Sequence, residues 1–407
     1  MDIGTVMNVM RDPAGIPAHP ELFRILMIVT WVFHIAFVTL TLGAASLAIY
    51  AFWRRDTGPY WTRLSIAMTK VAKVGVSLLI VLGVAPLLFT QVIYDPQWYA
   101  SNVLSAGWAI GFIFTLIIAY CLWFAFYFSN KEGAKRHIGI FAVIALLLFL
   151  LDGLIMHALS YQALLPGQWM DWYAPDGVVD TRGAYLHAIQ WPRYFFIISL
   201  SVPAIGLYLL AYDDYLKSRP DLPEGYLGFV RPLGRKLGAS GSLFALILFV
   251  WWQFDNPSDS NLIVQPGGWA VGAALLVLWF EVTFFADKLH GYLLLCGGLV
   301  VLLLLAIWRE VVRATYLSAY GYSIVDQKIN ADWPSLALFF LTLAGVGGLV
   351  GGFYLSLLYR AGRVQGVYQA DRSIAAMGTG AVAVLAVWIA VFFLYGIAIF
   401  IENTFAY

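Results

Sequence analysis

The chain has 407 residues, of which 61% are hydrophobic and 12% charged, with a formal charge of +1 and a mean hydropathy of +0.80. A soluble domain is nearer half apolar and a quarter charged, so water is excluded as the solvent for most of this surface. No loop carries a long basic run, which sets nucleic acid aside as a partner.

The first 23 residues hold Pro13, Pro17 and Pro20 and no apolar core ending in a small-residue cleavage site. They read as an outer segment with no cleaved leader, so the first helix itself directs insertion. Apolar runs long enough to cross a ~30 Å hydrocarbon core then follow at 24–52, 64–92, 105–129, 137–165, 184–213, 235–255, 267–286, 290–313, 333–359 and 373–403. These predict an all-α polytopic membrane bundle of about ten helices, one integral domain over 1–407, with only short loops. Cys121, in the third run, and Cys296, in the eighth, stand outside any CxxC or CxxCH motif and read as small packing residues. The glycines of Gly345 to Gly352, in the ninth run, allow close backbone approach, for packing or for a flat cofactor. Basic residues keep short loops cytoplasmic. With the N-terminus outside, 17 of the 24 Lys and Arg fall in inner loops and their flanks, whereas Asp95, the stretch 169–180 and the stretch 255–259 fall outside. The expected topology is N-out and C-out. Neither an internal repeat nor an inverted pair of broken helices is present, which disfavours a transporter.

An ionisable side chain at membrane depth is costly and needs a partner or a purpose. His34 lies within helix 1, His157 near the outer end of helix 4, and His187 at the opening of helix 5. The orientation puts all three in the outer half. A neutral imidazole offers one free lone pair, as an axial haem ligand must, and facing helices supply such ligands from opposite sides. The competing reading of each is a buried histidine bonded to a carbonyl or hydroxyl. His19 belongs to the outer segment, and His137 and His290 to inner helix ends; none is assigned chemistry. Helix 8 ends in Trp308-Arg309-Glu310-Val311-Val312-Arg313, which brings a carboxylate and two guanidinium groups to the level of the histidines. Glu310 and Arg313 share a face, as an ordinary boundary ion pair would; alternatively Glu310 ligates iron or carries protons while Arg309 or Arg313 neutralises haem propionates. Glu281, in helix 7, is either a proton relay or a satisfied polar contact. Most of the Trp and Tyr residues, among them Trp169, Trp172, Tyr173, Trp191 and Tyr194, form an interfacial belt.

Helix 1 reads Phe33-His34-Ile35-Ala36-Phe37-Val38-Thr39-Leu40-Thr41-Leu42-Gly43. It resembles the first helix of subunit I of the cytochrome bd quinol oxidases, where a histidine followed by a similar run ligates haem. Further pieces come in the same order: Phe89-Thr90 and then Trp98 after helix 2, His187 where the family has its low-spin haem b histidine, and Trp308, Glu310 and Arg313 where it has a tryptophan, a haem-ligating glutamate and an arginine. The resemblance covers helices 1 to 8, 24–313, and leaves two further helices, 333–403, where the family's subunit I has one beyond the eighth. It departs in three places. The family's long quinol-binding loop shrinks to about Asn256 to Gln265; the methionine that partners the low-spin haem is absent from Gly267-Gly268-Trp269-Ala270-Val271, which leaves His157 as the replacement; and Gly107 to Phe128 carries none of the glutamates of the family's proton path.

The resemblance implies a membrane haem b electron-transfer subunit of a respiratory oxidoreductase in a prokaryotic cytoplasmic membrane. It would hold two or three haem groups, haem d being admitted by the same ligands. His34, His187, His157 and Glu310 would hold iron, with Arg309 and Arg313 on propionates. The implied partners are a second membrane subunit, a cytochrome c or other redox protein at the outer face, quinone and lipid. Three alternatives stand beside it: a cofactor-free quinone-binding or anchor subunit, a terminal oxygen reductase subunit, and a proton-coupled transporter using Glu281 and Glu310.

Overall fold

The computed structural model of the chain describes residues 2–257 and 260–405, so Asp259, counted above with the outer acidic stretch, lies outside the described residues. Ten helices among the described residues are long and apolar enough to cross a membrane. The protein is an all-α, multi-pass integral membrane protein. In chain order the helices are α1 (Ile3–Val9), α2 (Pro20–Trp53), α3 (Pro59–Ile93), α4 (Asp95–Leu104), α5 (Ala106–Ser129), α6 (Gly139–Gln162), α7 (Trp169–Tyr173), α8 (Trp191–Ser199), α9 (Ser201–Leu216), α10 (Tyr226–Asp255), α11 (Pro266–Phe285), α12 (Gly291–Ser318), α13 (Trp333–Thr342), α14 (Gly351–Ala361) and α15 (Arg372–Phe405). Each predicted span has its counterpart, the fifth being built from α8 and α9 together.

The chain forms two compact units. The first comprises Met1–Asp214 and Gly225–Lys328 and the second Tyr215–Glu224 and Ile329–Tyr407. In the first, α2 packs along α3 and against α12, and α5 packs along α6. Small residues make these approaches possible, as expected where lipid supplies no hydrophobic drive between helices. A Cβ on Gly75 of α3, for instance, would collide with the Thr41 side chain of α2. At one end of this unit the N-terminal segment is clasped by loops. The Asp12 N–H donates to Asp95 Oδ2 at 2.9 Å, Gln327 Nε2 to Asp95 Oδ1 at 3.3 Å, and the Arg11 guanidinium to the Ser323 carbonyl at 2.7 Å.

In the second unit α13 and α14 form one span interrupted by a π-helical stretch, Leu343–Val350. This is the glycine-rich run. The stretch faces α15, where Trp388 Nε1 donates to Thr342 Oγ1 at 2.7 Å and a Cβ on Gly345 would touch Val384 at 3.3 Å.

Two readings of the sequence are corrected here. His187 does not open a helix: residues 178–190 are irregular and α8 begins at Trp191. Pro192 in the first turn explains this, because a helix running in from upstream would need its missing N–H and would drive its ring into the carbonyl four residues earlier. Cys121 and Cys296 are exposed on their helices and pack no interior.

Candidate functional site

Several of the chemistry-bearing side chains of the first unit lie near one another on α2, on α12 and at the end of α3. His34, in the middle of α2, contacts α3. Its Nδ1 lies 3.0 Å from the Leu79 carbonyl, to which only an N–H can donate, so Nδ1 carries the proton and Nε2 keeps its lone pair. The ring sits over Gly83, where a Cβ would come within 2.8 Å of Cε1. Arg309 of α12 is within electrostatic range of this imidazole and lies over the Trp31 ring at 4.5 Å.

Glu310 is buried beside it. Its Oε1 is 3.2 Å from the Arg313 guanidinium and 4.0 Å from that of Arg309, and its Oε2 accepts from the Tyr94 hydroxyl at 3.4 Å. Arg313 also covers the Tyr94 ring at 4.6 Å and contacts Met27 Sδ at 3.3 Å. A further guanidinium, that of the buried Arg193 of α8, acts on both Arg313 and Glu310 and lies over the Trp252 ring at 5.8 Å. On its outward side Glu310 lines a cavity of about 290 Å³ between α2 and α12, shared with Arg24, Ile28, Ile307, Val311, Ala314 and Thr315.

His157 stands on α6. Its Nε2 accepts the Gln190 N–H at 3.2 Å, and its ring meets Tyr194 edge-on at 5.7 Å. The Gln190 side chain continues to Trp252 Nε1 at 3.2 Å and to Asn256 at 3.4 Å. His187 lies in the irregular segment, stacked on Trp172 at 5.1 Å. Its Nε2–H donates to the Leu104 carbonyl at 3.1 Å, which leaves the Nδ1 lone pair, and its own N–H donates to Gln162 Oε1 at 3.3 Å.

No family model matches the sequence, and no curated protein matches it. A solved structure does. The chain superimposes on one titled as the structure of bd oxidase from Geobacillus thermodenitrificans with a TM-score of 0.59 over 84% of this chain and 98% of that one, at 12% identity. The chain has a bd oxidase fold. At that identity the likeness is one of architecture, and the roles of individual side chains in this bd-oxidase-like chain rest on their geometry.

That geometry brings His34, Arg309, Glu310 and Arg313 together, with His157 and His187 at separate stations. Among the described residues, no three His, Cys, Asp or Glu side chains converge on one point as a bare metal ion would require. A haem iron requires only one donor on each face, and so the fit turns on charge and on open valences. Two buried guanidinium groups, Arg193 and Arg313, and the largely covered Arg309 share one buried carboxylate. Arg309 Nε, Trp308 Nε1 and both polar atoms of the Gln253 amide are buried without a hydrogen-bond partner, although buried polar groups are almost always paired. Trp308 and Gln253 flank the small Gly267 and Gly268 of α11, where a Cβ would come within 2.7 Å of the indole and 2.9 Å of the amide. An anionic, planar group with hydrogen-bonding arms fits such surroundings.

Reading the sequence missed Arg193, Tyr94 and the buried Asp152 of α6. Arg193 and Asp152 were visible as charges inside apolar spans; Tyr94 carried no such signal. The remaining histidines have local roles. His19 caps α2 by accepting the Glu21 N–H, His290 caps α12 and lies 3.5 Å from Asp214, and His137 sits in a short turn before α6. Glu281 is half-buried on α11 beside Gly297 of α12.

Proposed function

We propose that this chain is a membrane haem b electron-transfer subunit of a respiratory oxidoreductase, residing N-out and C-out in a prokaryotic cytoplasmic membrane. The observation that carries the reading is the open Nε2 of His34, held in place by the Leu79 carbonyl and within range of Arg309, which with the buried Arg313 and Arg193 shares one carboxylate. His34 and Glu310 would offer donors at one haem, and His187, through its Nδ1, at another. His157 is the proposed partner donor, and taking that role means giving up the Gln190 N–H. Bound haem iron supplies one-electron exchange. Arg309 and Arg313 would hold propionates through charge-assisted hydrogen bonds, which are strongest where water is excluded. Haem b in two or three copies, with haem d admitted by the same donors, is proposed on this basis. A second membrane subunit, a cytochrome c or similar redox protein at the outer face, quinone and lipid are the proposed partners.

The cavity of about 290 Å³ between α2 and α12 favours a second reading, a cofactor-free subunit in which Arg24 and Glu310 bind a quinone. Absorption spectra and pyridine haemochrome analysis of the purified protein separate the two. The haem reading expects reduced-minus-oxidised bands, with Ala at His187 removing a low-spin component and Ala at His34 a different one. A folded, colourless preparation rejects it in favour of the quinone reading.

A further inference from the structure

Asp152 lies in the middle of α6, in the run Leu150-Leu151-Asp152-Gly153-Leu154. Ten residues of helix, about 15 Å, separate it from Gln162 at one end, and thirteen, about 20 Å, from Gly139 at the other. It is 5% exposed. An ionised carboxylate at this depth without a counter-ion is strongly disfavoured, so the group persists only if it is paired or neutral.

It is not paired. The polar partner that α5 presents is Thr115, whose Oγ1 lies 2.5 Å from Asp152 Oδ1. From α8, the Tyr194 hydroxyl donates to the Leu150 carbonyl at 2.9 Å. His157, five residues on, is turned to Gln190. Among the described residues no Lys, Arg or His acts on the carboxyl, and none does so from α2 or α4, which also pack on α6.

The Thr115 hydroxyl has one proton and three acceptors within reach: the carbonyls of Gly111 and Phe112, at 3.1 and 3.0 Å, and the Asp152 oxygen. If the hydroxyl donates to its own helix, as threonine commonly does in membrane helices, then the short contact requires a proton on Asp152 Oδ1. The second oxygen, Oδ2, is buried without any partner. An open carboxyl oxygen is where a proton can arrive while Oδ1 holds or gives up its own.

We infer that Asp152 is a proton-holding site within the membrane, a neutral carboxylic acid that bonds Thr115 through one oxygen and exchanges protons through the other. The inference does not depend on haem and needs no redox partner.

Infrared spectroscopy of the purified full-length protein tests it. At neutral pH the wild type should show the carbonyl stretch of a protonated carboxylic acid. The band should shift within minutes of transfer to D2O, be absent from Asp152→Asn, and move in Thr115→Val, which retains the acid but not its hydroxyl partner. The Thr115→Val variant keeps the test decisive should Asp152→Asn fail to fold. A wild-type spectrum without the band, or a band unmoved by both variants, overturns the assignment. A band that withstands D2O for hours overturns the exchange.

Discussion

Glu310 is the carboxylate on which the buried charge of α8 and α12 depends. Breaking a buried ion pair from one side leaves the partner charge uncompensated, typically at about 3–5 kcal/mol. Glu310→Ala strands Arg309 and Arg313 together with Arg193, so it should destabilise the protein by about that amount in SDS-titrated unfolding. Glu310→Gln, which can still accept from Tyr94, should cost about half as much. A Glu310→Ala protein as stable as wild type would show that the guanidinium groups are compensated by something else. Gly83 supports a second residue-scale prediction. An added methyl would press on His34 Cε1 at 2.8 Å, so Gly83→Ala should turn the ring off the Leu79 carbonyl. Under the haem reading the expected outcome is loss of the His34-dependent spectral component with the His187-dependent component intact, and survival of both components sinks the assignment of His34 as a donor. These charges were legible in the sequence unevenly. Glu310 and Arg313 announced themselves by their i,i+3 spacing, whereas Arg193 and Asp152 are single charges in apolar runs whose partners come from other helices.

At the scale of elements, apolar length foretold every membrane span, because a helix that must satisfy its own backbone in lipid needs nothing else. What lies between the spans was harder to read. The short α4, the irregular approach to α8 and the N-terminal clasp are built from side-chain-to-backbone bonds with no periodic signature. Asp95, at the head of α4, gives the clasp a pH dependence. Burial pushes its carboxyl above the usual range, against the hydrogen bonds from Asp12 and Gln327 that pull it down. The folded state therefore holds this proton more tightly than the unfolded state. Stability contributed at Asp95 is greatest in acid and is lost as pH rises through the folded-state value, the window opening upward from about pH 4. Asp95→Asn removes that slope. Melting temperatures in detergent from about pH 4 to about pH 7 should show wild type losing ground to the variant as pH rises; a constant difference would mean the carboxyl does not titrate in this window.

For the whole molecule, the uneven distribution of Lys and Arg supports the N-out, C-out orientation, which reporter fusions test directly. A periplasmic-type phosphatase fused after Phe405 should be active and a fluorescent protein fused there dark; the reverse pattern would invert the topology and move the histidines to the cytoplasmic side. The division into two units leads to a stronger test. His34, His157, His187, Glu310 and Arg193, Arg309 and Arg313 belong to the first unit, while α13, α14 and α15 bring only Ile374 and Ala381 into burial among their described side chains. The residues of the candidate site thus all come from one unit, and the hairpin has little buried interior of its own. A chain ending after Lys328 should therefore insert, keep the clasp between Asp95 and Gln327, and retain whatever absorbance the full-length protein shows. Loss of the spectrum from a truncated chain that still melts cooperatively would mean that the hairpin supplies a donor or closes the site, and would shift attention to the π-helical stretch Leu343–Val350, since such distortions recur at functional positions.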